Sequence, residues 1–141
     1  MSKVTDQTIE QEIQEKGLTA PRITPDHIES VISSEHYFTA YDGRHGSLSR
    51  GEYVGVEKPL DTEKDLFPLQ LLTFCVLVLK NGFTVSGESA CASPENFDAE
   101  IGRKIARQNA VNKIWILEGY LLKDRIHADA HLKELLRIKS E

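Results

Sequence analysis

Two arginines one helical turn apart, Arg103 and Arg107, are the residues of this chain best suited to chemistry, and the chemistry is anion binding. They sit just inside the start of a helical segment read as Asp98 to Leu122. Like charges at this spacing repel by a few tenths of a kcal/mol unless something acidic lies near. Glu100 can reach Arg103 or Lys104, but no carboxylate stands three or four residues either side of Arg107. A phosphate or carboxylate ligand would satisfy both, because guanidinium forks match phosphate oxygens bidentately and a helix start adds free N–H donors. The competing reading is a structural ion pair with Glu88, Glu95 or Glu118.

Other candidates are weaker. Phe83, just after the Asn81-Gly82 turn, reads as a hairpin core aromatic with base stacking as its rarer role. Asn96 reads as a local backbone-bonding residue, with recognition of a purine edge as the alternative. Cys91 precedes a helix start, which can lower a thiol pKa, but no His nearby in sequence is an obvious base and an inert thiol is expected. His127 and His131 have a metal-compatible spacing without the Glu of a zincin between them. The glycines Gly43, Gly46 and Gly51 are not followed by the Gly-Lys-Ser/Thr of a phosphate loop. The expectation is a protein without catalytic activity, metal or cofactor.

The elements that position these residues follow from pattern. Residues 1–23 read as a flexible tail with weak helical tendency, 24–123 as the domain, and 124–141 as a helical tail ending on Leu132, Leu135, Leu136 and Ile138. Thr24-Pro25-Asp26 is a helix start, with a side-chain cap, a proline at the first position and an acid at the positive end, and predicts a helix from Pro25 to Ser34. His36 to Tyr41 suits a strand, and Asp42 to Gly55 reads as a long glycine-dotted loop holding a brief strand at Tyr53, Val54 and Val56. Leu71 to Leu79 is an apolar strand, and Asn81-Gly82 predicts a two-residue hairpin turn. That turn pairs Val78 with Val85 and Phe74 with Ser89, placing Phe74, Val76, Val78, Phe83 and Val85 on the core face and separating Cys75 from Cys91. Ser93-Pro94 and Asp98 both offer caps for the following helix. On the helical wheel Ile101, Ile105, Asn112, Ile116 and Gly119 form one stripe, while Ala110, Ile114, Leu117 and Leu121 form another. A helix that needs cover on two faces predicts a homo-oligomer. The fold class is α+β: a short N-terminal helix and an antiparallel hairpin or small sheet packed on one long C-terminal helix.

Composition limits the partners. A chain of 141 residues is long enough to bury a core without staples. A net charge of −5 argues against duplex nucleic acid, whose nonspecific binding depends on clustered Lys and Arg. The polar start lacks the apolar run of a signal peptide, which points to a cytoplasm and free thiols, and the window Leu69 to Leu79 is too short to cross a bilayer.

The run Leu72 to Cys91, with Asn81-Gly-Phe83 and Ser89-Ala-Cys91, is followed by Asn96-Phe-Asp98, Ile101 to Ala110 and Glu118-Gly-Tyr120. In this order the segments closely resemble a family of small tailed-phage and prophage proteins known as phage gp49-like, over about Pro25 to Leu122. That resemblance implies a phage accessory protein acting in the host bacterial cytoplasm and carries no reaction with it. A looser likeness is to the phage sponge proteins that oppose Thoeris defence by sequestering cyclic ADP-ribose-type signals. These are homo-oligomers that hold the nucleotide with arginines and an aromatic. Arg103 and Arg107 carry over; Phe83 and Asn96 are further candidates, and the N-terminal extension has no counterpart. The alternative function is a protein-interaction module docking on a host protein during takeover or defence evasion, through the glycine-rich loop and the hairpin's other face, where Cys75, Leu77, Leu79, Thr84, Ser86 and Glu88 are mixed in polarity.

Overall fold

The structure is a computed structural model in which residues 5–51 and 66–140 are described. Their order is α1 (Asp6–Glu15), α2 (Pro25–Ser30), β1 (Ile32–Thr39), α3 (Ala40–Ser49), β2 (Leu72–Leu79), β3 (Thr84–Ala90) and α4 (Ala99–Ser140), with 3-10 turns at Phe67–Leu71 and Pro94–Asn96. The fold is α+β, with a short N-terminal helix, a three-stranded antiparallel sheet in the order β1-β2-β3 and a long C-terminal helix on that sheet. The chain divides into two compact units, Ile32–Lys113 and a second unit made of the residues before β1 and those from Ile114 onward.

The central strand is the most apolar one, with one face buried and the other half-buried. Its register with β3 differs by one residue from the two-residue turn expected at Asn81-Gly82: Val78 pairs with Thr84 and Leu77 with Val85. The loop holds three residues. Leu79 N donates to Phe83 O at 2.8 Å, Gly82 N donates back to Leu79 O at 2.9 Å, and Gly82 adopts φ 87°. This is the turn-plus-bulge connection, in which glycine takes the left-handed position. Asn81 Oδ1 caps it by accepting from Phe83 N at 3.0 Å.

The one-residue slip moves the β3 side chains across relative to β2, so Val85 joins Cys75 and Leu77, and it is this face of β2, not the expected one, that forms the core. Cys75 and Leu77 are fully buried and Leu79 and Val85 nearly so, whereas Phe74, Val76 and Val78 are half-buried and Phe83 is exposed. On that second face Phe74 stacks on Phe38 with centroids 5.6 Å apart.

Helix α4 meets the buried face through small residues. Gly102, Ala106 and Ala110 form one ridge at four-residue spacing, and a Cβ at Gly87 would lie 2.1 Å from Ala106 O and 2.3 Å from Ala110 N. Ile101 and Ile105, from the first of the two expected stripes, are 55% and 46% exposed, because the helix approaches the strand too closely for large side chains to lie between them. Asp98 caps the helix, its Oδ1 accepting from Ile101 N at 3.0 Å, while Ser93 makes no side-chain cap on its 3-10 turn. The helix then continues to Ser140, past the expected end at Leu122.

Two other elements depart from expectation. The glycine-dotted loop is helical over Ala40–Ser49, because Thr39 and Asp42 form a reciprocal capping box: Asp42 N donates to Thr39 Oγ1 at 3.1 Å and Thr39 N to Asp42 Oδ2 at 2.9 Å. The helix stops at Gly51, with φ 70°. The strand expected at Tyr53, Val54 and Val56 lies outside the described residues. Helix α2 uses the predicted Thr24 cap but ends at Ser30, and β1 claims Ile32 onward.

In the other unit α1 opens on a Thr5–Thr8 capping box, and Trp115 Nε1 donates to Asp6 Oδ2 at 3.1 Å. His27 Nε2 lies 2.9 Å from Glu118 Oε2, and Arg22 pairs with the buried Glu10, holding its carboxyl below the usual range.

Candidate functional site

Arg107 is half-buried where α4 passes β1, and its Nε donates to Glu35 Oε2 at 2.8 Å. None of Glu88, Glu95 or Glu118 is the partner seen; the carboxylate comes from a strand far away in sequence. The Tyr37 hydroxyl donates to the same Glu35 oxygen at 2.7 Å. Strand register explains the convergence: Glu35 stands opposite Leu77 and Tyr37 opposite Cys75, so both lie on the face that receives α4. The Tyr37 hydroxyl first and Arg107 second hold the Glu35 carboxyl below the usual carboxylate range. Burial and the Glu35 carboxylate push the Tyr37 phenol well up, and burial pushes up the Cys75 thiol beside it. At neutral pH the cluster is therefore one anion, one cation, a neutral phenol and a neutral thiol.

Arg103 lies one turn earlier, about 6 Å along the helix axis. It is exposed, and among the described residues its guanidinium makes no hydrogen bond or ion pair. Glu100 pairs with Lys104 instead, at 3.2 Å. The two arginines thus differ: one is tethered to the sheet and the other stands in solvent.

The remaining candidates lie elsewhere. Asn96 lines a cavity of about 200 Å³ beside the start of α4, with Thr73, Cys91, Ile101, Gly102 and Ile105 among the walls. Ile101 and Ile105 flank the buried ridge on one side and Arg103 and Arg107 on the other, as 100° per residue requires. Phe83 lies at the hairpin tip, separated from the Asn96 end by the seven residues of β3, about 24 Å of strand. Arg103 and Arg107 follow one another by one turn of α4, while Phe83 and Asn96 stand beyond opposite ends of β3 and do not meet within one chain.

Both cysteines are free; Cys75 is buried, and Cys91 Sγ donates to Ser93 O at 3.1 Å. No group of three His, Cys, Asp or Glu side chains is placed to hold a metal ion among the described residues.

Residues 23–126 match the model of a family described as phage protein (N4 Gp49/phage Sf6 gene 66). The chain belongs to this phage family. No curated protein and no solved structure matches the chain. The matched span of the Gp49 family covers the whole sheet, the Glu35–Tyr37–Arg107 cluster and the packed turns of α4. No helix among the described residues is long and apolar enough to cross a membrane.

Sequence reasoning missed Glu35 and Tyr37 as partners of Arg107. A signal was present: Glu35, Tyr37 and Thr39 alternate with Ser34, His36 and Phe38, so a strand begun a few residues earlier puts a carboxylate and a phenol on one face. Gly87 carried a second signal, an isolated glycine inside a strand, which marks close approach of another backbone.

Proposed function

We propose that this phage protein is a non-enzymatic binder that sequesters an anionic nucleotide signal of the cyclic ADP-ribose type in the host cytoplasm, with Arg103 and Arg107 on its phosphates. The observation that carries the reading is the pair of guanidiniums one turn apart, Arg103 exposed and unpaired among the described residues and Arg107 tethered to Glu35. A tethered guanidinium loses less freedom on binding than a solvated one, and an exposed neighbour supplies the second fork for a pyrophosphate. The separation of Phe83 from Asn96 by the length of β3 favours a site completed by a second copy. The exposed Ile101 and Ile105, beside Asn96, are the apolar surface for that contact.

Thermal unfolding with cyclic ADP-ribose and cyclic oligonucleotides tests this. A ligand at a hundred times its Kd stabilises by ~2.7 kcal/mol, so a binder gives a clear upward shift in Tm. Arg103→Ala and Arg107→Ala abolish the shift. If no nucleotide moves the transition and a single host protein co-purifies in stoichiometric amount, the protein is a docking module instead.

A further inference from the structure

Glu35 Oε2 accepts two hydrogen bonds, from Arg107 Nε at 2.8 Å and from the Tyr37 hydroxyl at 2.7 Å. The carboxylate is therefore fixed from two directions, by the helix and by its own strand. It does two opposed things to Arg107. It restrains a long side chain that would otherwise sample many rotamers, lowering the entropy lost when a ligand binds. It also places a negative charge beside the guanidinium, which repels an incoming anion in proportion to the local dielectric.

We infer, building on the nucleotide reading above, that Glu35 is the positioning residue of Arg107 and couples anion binding to proton uptake. An anion arriving at Arg107 either shares the guanidinium with Glu35 or displaces it. Both outcomes weaken the attraction that keeps the Glu35 carboxyl ionised and add a negative charge nearby, so its affinity for a proton rises on binding. Among the described residues, the charged and titratable groups facing Glu35 are Tyr37 on β1, Cys75 on β2 and Arg107 on α4. The phenol and thiol are both pushed up and remain neutral in acid, and a guanidinium does not deprotonate in this range, so Glu35 is the one of these described groups that titrates there. The sign follows. A carboxyl with a lowered value in the free protein and a higher one in the complex takes up a proton on binding, so affinity rises as pH falls from neutral through the bound value and levels off below the free value.

The test is calorimetric titration of the full chain with cyclic ADP-ribose, whose pyrophosphate diester does not titrate in this range, at neutral pH and in mild acid. The wild type binds several-fold more tightly in acid. Glu35→Gln keeps a hydrogen-bond acceptor without the charge; it binds more tightly than wild type at neutral pH and loses the pH dependence. Glu35→Ala frees the guanidinium and binds about tenfold more weakly than Glu35→Gln, the penalty of ordering one long side chain. Tyr37→Phe shifts affinity less, in the direction of Glu35→Ala. A near-isosteric Gln keeps the comparison valid if the alanine variant does not fold. Retention of the wild-type pH dependence by Glu35→Gln overturns the inference while leaving nucleotide binding standing. Absence of binding by the wild type at both pH values overturns the nucleotide reading and this inference with it.

Discussion

The first turns of α4 present two faces that invert the usual relation between hydrophobicity and burial. One face is Gly102, Ala106 and Ala110, which are buried; the other is Ile101 and Ile105, which are about half exposed. A transfer scale ranks isoleucine far above glycine and alanine, since burying a large aliphatic side chain stabilises by roughly 1.5–3 kcal/mol. The molecule nevertheless buries the small residues, because the contact they make is backbone against backbone. With Gly87 opposite, the helix comes close enough that Asn109 Nδ2 reaches Glu88 O at 2.8 Å and satisfies a carbonyl on the edge strand. What decides the orientation of this helix is how near it can approach, and the apolar area that remains is left for something else.

The largest effect expected from breaking this contrast is at Gly87. Its backbone is not in the left-handed region, so alanine suits the strand itself, but the added Cβ would meet Ala106 O at 2.1 Å and Ala110 N at 2.3 Å. Both atoms belong to helix backbone and cannot rotate away. Gly87→Ala therefore lowers stability by about 3 kcal/mol, the upper part of the range for overpacking, seen as a lower midpoint in urea unfolding. If the midpoint is unchanged, the close approach is not what seats the helix. Ala106→Leu asks the same question from the helix side with a side chain that can bend; it costs about 1–3 kcal/mol and less than Gly87→Ala.

The same contrast explains how much of the fold was legible. Caps were legible because they are local: Thr24 and Asp98 stand next to the helices they start and bond to backbone N–H groups three residues on. The central strand was legible because one face is buried and the other half-buried, which leaves an unbroken apolar run. The hairpin register was not, since Asn-Gly fits both a two-residue turn and the three-residue turn with a bulge, and the choice between them decides which β3 residues share the buried face of β2. The helix α3 was hidden by glycines that read as loop, although its Thr39–Asp42 capping box was in plain sequence. Of the site, Arg103 and Arg107 could be picked from their spacing, but the carboxylate that holds Arg107 could not, because a strand edge and a helix far apart in sequence meet only after the register is set. The cavity beside Asn96 depends likewise on the Gly102 ridge, which no hydrophobic pattern marks.

The smallest expected effect on stability separates the two faces most sharply. Ile101 and Ile105 are about half exposed and lie beside the cavity walls, so replacing both with Gln removes little that the single chain buries and changes unfolding of dilute protein by no more than about 0.5 kcal/mol. If these side chains serve a second copy, the same double variant changes association strongly: sedimentation velocity shows the wild type moving as an oligomer and the variant as a slower species at equal concentration. A large loss of stability in dilute protein would instead mean that the isoleucines support their own chain, and the two faces would then differ in degree only. Gly87→Ala should behave in the opposite way, losing stability at every concentration, because its contact lies within the chain. Stability that is insensitive to one face and association that is sensitive to it would together assign the ridge to folding and the isoleucines to assembly.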